Sequence, residues 1–301
     1  MKNTEIRPNT FLIGAQKSAT TSVYDWISQH PQVCGPIAVK DYPYFINKES
    51  YEQKKANIFI KAYLDENILD EKIILQGSVQ YMFYPNAIKK IYNFNPESKL
   101  IAVLRNPVER AVSAYKFMKK MGVETLTFNE AIEIEPERLG SDDYNTVSDL
   151  SYVSHGLYGQ QLKQILKYFD RKKIMILLFE EVKSKPKSII SQIYKFLEID
   201  PNFQPELNIL NKTGSVRSIW IQNIVFRQNK FRSYITSLLD PVFPLHKRAK
   251  LRWLINDWNT ASGDKKTRDE FFREKEILKQ KFIEDICLLE KVSGLDLSGW
   301  K

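Results

Sequence analysis

The chain has 301 residues, 43% of them hydrophobic, and a formal net charge of +9. That length can bury a full core as one large domain or two small ones, and the basic balance implies an anionic partner. Two cysteines (Cys34, Cys287) and three scattered histidines (His30, His155, His246) offer neither a disulfide framework nor metal-ligand spacing, so no metal is expected.

The first apolar run, FLIGA, is too short for a signal peptide or a membrane span, and a soluble, cytoplasmic protein is expected. It reads as a strand over 11–14 that stops at Gly14. Lys17 and a hydroxyl-rich turn then lead into an amphipathic helix over 20–28. A strand, a phosphate-sized loop and a helix N-terminus make an anion site: unpaired N–H groups and the positive end of the dipole are joined by Lys17, Ser18, Thr20, Thr21 and Ser22. The spacing is not that of a Walker A loop, because Lys17 follows Gly14 by three residues and no second glycine precedes it.

Further strands are predicted at 32–34, 72–76, 99–104 and 173–179, and helices at 51–64, 85–92, 107–121, 156–169 and 186–197. This alternation is the βαβ pattern of a parallel sheet covered on both faces. The run 99–104 ends at Arg105, and Pro107 sits where a first helical turn tolerates it. A guanidinium at the carboxyl edge of a parallel sheet lies where open α/β folds bind ligands, and its fork suits a phosphate; pairing with Glu109 is the plain alternative. After Ser218 the pattern turns to helices over 219–239 and 266–292. No linker or repeat divides the chain, so one domain is expected, with a nucleotide-binding core over 1–215 and a mainly helical part over 216–301.

Two motifs in order, FLIGAQKSATTS (11–22) and KLIAVLRNPVERAVSAY (99–115), give the chain its resemblance to sulfotransferases that use 3′-phosphoadenosine 5′-phosphosulfate. That family's first loop reads roughly G-x-x-K-[SG]-G-T-[TS], with Ala19 here in place of the usual glycine, and its second segment reads R-[ND]-P-x-x-R-x-x-S-x-[YW]. The resemblance implies a three-layer α/β/α fold of the P-loop nucleoside triphosphate hydrolase type with extra C-terminal helices. It implies that Gln16, Lys17, Ser18, Ala19, Thr20, Thr21 and Ser22 hold the 5′-phosphosulfate, and that Arg105 and Ser113 hold the 3′-phosphate. Lys17 would also stabilise the departing oxygen, with no metal required.

Three further segments extend it. In VKDYPYF (39–45), Lys40 and Asp41 stand where the glycan-type branch has K-E, which makes Asp41 the implied general base one methylene shorter than usual. His155, in SHGLYGQQL, is the alternative base, and Tyr158 in the same stretch is a candidate for adenine or ribose contact. In NKTGSVRS (211–218), Lys212, Gly214 and Arg217 match a loop that closes over the nucleotide, together with Thr213 and Ser215. QGSVQYMF (76–83) fits less well: only Ser78 and Tyr81 agree with glycan-type relatives, so the acceptor side departs from them.

The implied reaction is in-line sulfuryl transfer to a hydroxyl or amine, with a glycan or lipid among the candidate acceptors. Three other readings stay open: a P-loop kinase or nucleotide hydrolase, a basic nucleic-acid-binding module and a non-catalytic nucleotide-binding relative. Nucleic acid is disfavoured because the basic residues are dispersed and no recognition signature occurs. The cluster Lys247, Arg248, Lys250 and Arg252 beside Trp253 suits an acidic glycan or a membrane surface, or a merely solvated face. The sequence sets neither acceptor nor oligomeric state.

Overall fold

Five aliphatic runs form one parallel sheet: β1 (Thr10–Gly14), β2 (Val33–Cys34), β3 (Ile73–Gly77), β4 (Lys99–Leu104) and β5 (Ile174–Leu178). The computed structural model describes residues 7–46, 63, 71–208, 215–216, 260–261 and 271–301. Strand order is β2-β3-β1-β4-β5, with Leu12 opposite both Gly77 and Ile101, and Leu104 opposite Leu178. The chain moves to one side of β1 to make β2 and β3, then crosses it to make β4 and β5. A crevice therefore opens between the carboxyl ends of β1 and β4, the switch point at which such sheets bind ligands.

The helices among the described residues are α1 (Thr20–Ser28), α2 (Pro85–Phe94), α3 (Pro107–Lys120), α4 (Phe128–Glu133), α5 (Glu135–Leu139), α6 (Tyr144–Leu150), α7 (Tyr158–Ile165), α8 (Phe179–Ser184), α9 (Pro186–Leu197) and α10 (Phe272–Ser293). Strand alternation divides them into two layers. Phe11, Ile13, Leu100, Ala102 and Leu104 face one way, into a core shared with α2, α3, α7 and α10. Leu12, Ile101 and Val103 face the other way, against Val23 and Ile27 of α1 and Ile190 and Ile193 of α9. The result is the expected three-layer α/β/α arrangement, of the α/β class.

Differences from expectation have local causes. The helix read over 156–169 is shorter, α7 following a 3₁₀ turn at Ser154–Gly156. Four short helices, α4, α5, α6 and α8, were not anticipated. Two of them are closed by side-chain caps: Thr127 and Glu130 form a capping box on α4, and Asp143 accepts the Thr146 N–H on α6 at 2.8 Å. Ser215–Val216 pairs antiparallel with Thr260–Ala261, giving two short strands, β6 and β7, that lie outside the helices read over 219–239 and 266–292 and were not anticipated. The helix over 219–239, the start of that over 266–292, the basic cluster at 247–253 and, apart from Tyr63, the helix over 51–64 lie outside the described residues.

α10 buries Leu278, Phe282, Ile286 and Leu289 at helical spacing, in the same core as β1. It meets α7 at two glycines. A Cβ on Gly156 would stand 2.7 Å from the Phe282 ring, and one on Gly159 would stand 2.5 Å from the Asp285 carbonyl oxygen. This close approach lets the Asp285 carboxylate accept the N–H groups of Gly159 and Gln160 at 2.7 and 2.9 Å, capping α7 from another helix.

Candidate active site

The loop after β1 has the character of an unsatisfied anion cradle. Lys17 (φ 65°) and Ala19 (φ 61°) adopt left-handed backbone, and Ala19 is the N-cap of α1 without a side-chain cap. No acidic residue lies in the first turn of α1. Among the described residues, the N–H groups of Gln16, Lys17, Ser18, Ala19 and Thr20 donate to no backbone carbonyl. These donors and the helix dipole converge where a bound anion would sit.

Left-handed backbone at Ala19 explains why glycine is usual there in the resembling family. An L-residue with a Cβ pays roughly 1–2 kcal/mol in that region. Ala19→Gly should therefore raise stability by about 0.5–1 kcal/mol once the looser unfolded chain is counted, read from denaturant midpoints. Donor affinity should rise by no more than about fivefold; a loss of stability would show that the loop is held by contacts to the Ala19 methyl.

A cavity of about 560 Å³ opens over this loop. Its walls include Gln16, Lys17, Ser18, Ala19, Thr20, Thr21, Ser22, Asp41, Arg105 and Ser113, so residues from three distant stretches of sequence meet in one place. Arg105, at the carboxyl end of β4, donates from a guanidinium nitrogen to the Lys17 carbonyl at 3.3 Å, and its Cζ lies 4.7 Å from the Phe179 ring centre. Lys17 Nζ stands 3.9 Å above the Phe117 ring. Burial, then Arg105, Lys120 and Arg110, lowers the Lys17 pKa from 10.5 to about 8. Among the described residues, Lys17, Arg105 and Arg110 form no ion pair.

Arg110, the second arginine of the 99–115 motif, was not singled out as a functional residue. It is wholly buried, donating to Gln16 Oε1 at 3.4 Å and to the Tyr152 carbonyl, while its Nε has no partner. Burial lowers its pKa, against the pull of Tyr158 and Glu135. It ties the anion loop to the turn at Tyr152–Ser154, whose three N–H groups are gripped by the buried Glu135 carboxylate at 2.7 Å each. Its charge adds to the positive field at Lys17.

Asp41 is placed by β3. Its N–H donates to the Gly77 carbonyl at 2.7 Å; its Oδ1 accepts the Val79 N–H at 3.1 Å, and its Oδ2 pairs with Lys40 at 2.6 Å. Its φ of 62° is a conformation that aspartate tolerates better than most residues. The half-exposed carboxylate is thus fixed in direction and still reaches the cavity.

His155 and Tyr158 are not among the cavity-lining residues. His155 is buried and stacked on Phe83 at 3.8 Å, with Nε2 unpartnered. Burial, with Arg110 nearby, holds its pKa well below the usual imidazole range. A ring packed away from the cavity is a poor proton acceptor for a reaction inside it, which weighs against His155 as the alternative base. Tyr158 is also buried, its hydroxyl pushed up to about 12 chiefly by burial. That hydroxyl and Ser18 Oγ approach each other without meeting hydrogen-bond geometry, and both lack a partner. Tyr158 therefore backs the loop rather than lining the cavity. Lys212, Thr213, Gly214 and Arg217 lie outside the described residues, and Ser215 is described only as part of β6.

The family model described as a sulfotransferase domain matches residues 7–232. The chain belongs to the sulfotransferase family. Over 195 residues it is 28% identical to human heparan sulfate glucosamine 3-O-sulfotransferase 6, covering 63% of this chain and 52% of the relative. Over 201 residues it is 23% identical to mouse bifunctional heparan sulfate N-deacetylase/N-sulfotransferase 4, covering 65% and 23%. The chain thus spans from under a quarter to about half the length of these curated relatives. The crystal structure of a sulfotransferase from Alicyclobacillus acidocaldarius superimposes with a TM-score of 0.67 at 24% identity, covering 98% of this chain and 99% of that one, and shows the same fold.

Cavity residues that sequence reasoning missed left uneven signals. Phe117 lies one helical turn beyond Ser113 and shares its face. Phe179 follows β5 as Arg105 follows β4, so the carboxyl-edge rule applied to one reaches the other. Gln80, Tyr144 and Asp149 lie in the poorly matching segment or in the unanticipated α6, and carried no signal.

Proposed function

We infer that this sulfotransferase moves a sulfuryl group from 3′-phosphoadenosine 5′-phosphosulfate to a hydroxyl or amine. The observation that carries the reading is the cavity at the β1–β4 switch point, where Lys17, Arg105 and an uncapped helix N-terminus present positive charge without an ion pair. In this reading the 5′-phosphosulfate lies along Gln16 to Ser22 and the 3′-phosphate lies against Arg105 and Ser113. The segment 212–217 is assigned to the nucleotide on resemblance alone. Asp41 takes the proton of the acceptor as its oxygen or nitrogen bonds to sulfur, while the sulfur–oxygen bond to the nucleotide phosphate breaks. Lys17 meets the charge that grows on the departing oxygen. Fixed cations and backbone donors supply the electrostatics, so turnover should persist in chelator. Among acceptors, a glycan is the first class to screen, because the named relatives act on heparan sulfate.

The test compares two nucleotides differing by one phosphate. The wild type should bind 3′-phosphoadenosine 5′-phosphate more tightly than adenosine 5′-phosphate, and Arg105→Ala should erase most of that preference, about 10–100-fold for a charge-assisted contact. Equal affinity for the two in the wild type, or tighter magnesium-dependent binding of ATP, would overturn the donor assignment in favour of a kinase or hydrolase.

A further inference from the structure

Charge is divided across the cavity. Among its described lining residues the cations are Lys17, Arg105 and Lys183, and the carboxylates are Asp41 and Asp149. Asp41 is already engaged by Lys40 and the Val79 N–H. The half-buried Asp149 side chain has no hydrogen bond or ion pair among the described residues. It also stands in the last turn of α6, where the carbonyl end of the helix adds negative potential. Arg138 reaches the neighbouring Leu150 carbonyl, but its guanidinium is committed to Glu124. Among the described residues, the titratable groups around Asp149 are Asp143 and Tyr144 on its own segment and Tyr84 from the start of α2, and none of these is cationic. Burial, then Asp143, raises its carboxyl pKa to about 6.

A second, independent group points the same way. Gln80 is 6% exposed and lines the same cavity; its Nε2 donates to the Ser148 carbonyl at 3.0 Å, and its Oε1 is buried without a partner. Tyr144, stacked near Tyr84, sits in the field of both Asp149 and Asp41 and also lines the wall. This end of the cavity carries the Asp149 carboxylate, with no cation beside it among the described residues. Leaving a carboxylate in that condition disfavours the fold, and a ligand that brings a cation removes the penalty. Sulfate or carboxylate groups of an acceptor would be repelled at this wall, so among glycans it suits one that presents a free amine here.

We propose that Asp149 recognises the acceptor, and that the group it binds is cationic, an ammonium carried by the molecule that receives the sulfuryl group. The proposal rests on the donor reading above and names the acceptor's charge class. Asp149 binds and orients, while Asp41 keeps the proton-accepting role. Protonating Asp149 removes the attraction, so the preference for a cation should weaken as pH falls through about 6.

The probes are three phenols of similar shape, tyramine (cationic), tyrosol (neutral) and para-hydroxyphenylacetate (anionic), titrated into protein loaded with 3′-phosphoadenosine 5′-phosphate. At about pH 7.5, tyramine should bind about tenfold tighter than tyrosol, with the anion weakest. Asp149→Asn should bring the three together, leave nucleotide affinity unchanged and raise thermal stability, whereas loss of a merely structural carboxylate would lower it. If the nucleotide itself does not bind, the donor reading fails and the acceptor proposal with it. If the nucleotide binds but the phenols titrate alike, the anion binds best, or the tyramine preference survives in Asp149→Asn, the donor reading stands and the acceptor proposal is overturned.

Discussion

Replacing Asp41 with alanine should lower turnover by about 10²–10⁴ and leave nucleotide affinity nearly unchanged, the pattern expected when a general base is removed. The two effects separate because Asp41 is anchored to the end of β3, away from the anion loop, and its side-chain bonds run to Lys40 and Val79 rather than to the loop. Asp41→Asn preserves shape and the Val79 contact while removing the basic oxygen, so it should be nearly as inactive as alanine. Asp41→Glu restores the basic oxygen with one more methylene; since positioning is sensitive on that scale, it should recover only part of the rate. Turnover near wild type in Asp41→Ala would remove Asp41 from the mechanism and make Asp149 the next base to test. The measurement is single-turnover transfer from a labelled donor, which keeps chemistry apart from product release.

Lys17→Ala should weaken nucleotide binding by about 10–100-fold, the worth of a charge-assisted phosphate contact, and lower turnover by a further 10²–10³ or so through loss of charge stabilisation at the leaving oxygen. Its lowered pKa gives the site a signature that alanine erases. An anion beside Lys17 favours the charged form, so nucleotide binding should take up a proton wherever the free lysine is partly neutral, above about pH 8. Affinity should be level below that pH and decline above it. Calorimetry in buffers of different ionisation enthalpy detects the uptake, and its absence in the wild type would show that Lys17 does not meet the nucleotide. The same shift acts on folding with the opposite pH sense. The charged lysine is disfavoured in the unliganded fold, so this group's contribution to stability rises as pH climbs from about 8 towards 10.5.

The sheet and the long helices could be read from sequence because each was announced by a strong periodic signal. β4, α1 and α9 fall on their expected residues: an uninterrupted aliphatic run marks the strand, and Pro186 marks the first turn of α9. The capping box at Thr127 and Glu130 was also present in the sequence as T-x-x-E, but a helix of six residues is too short to show periodicity and was passed over. The cationic side of the cavity was legible for a similar reason, since Lys17 and Arg105 both follow strand ends, where geometry follows from topology. The carboxylate side was not. Asp149 and Gln80 reach the cavity through tertiary packing of α6 against the turn after β3, and no local pattern encodes that contact. The placement of His155 was not legible, because a histidine near a motif says nothing of whether its ring faces a cavity or a phenylalanine.

The cap on α7 has a consequence for synthesis. Asp285 reaches Gly159 across 126 residues of chain, and the turn before α7 is joined through Arg110 to Gln16 in the anion loop. Translation delivers the loop well before the cap. A nascent chain therefore passes through a stage in which all five sheet strands are made, while the notch at Gly156 and Gly159 stays open and the core residues that α10 covers lack their partner. Donor-binding competence should appear only once α10 has been made, and a ribosome-stalled chain ending before α10 is the species most in need of a chaperone.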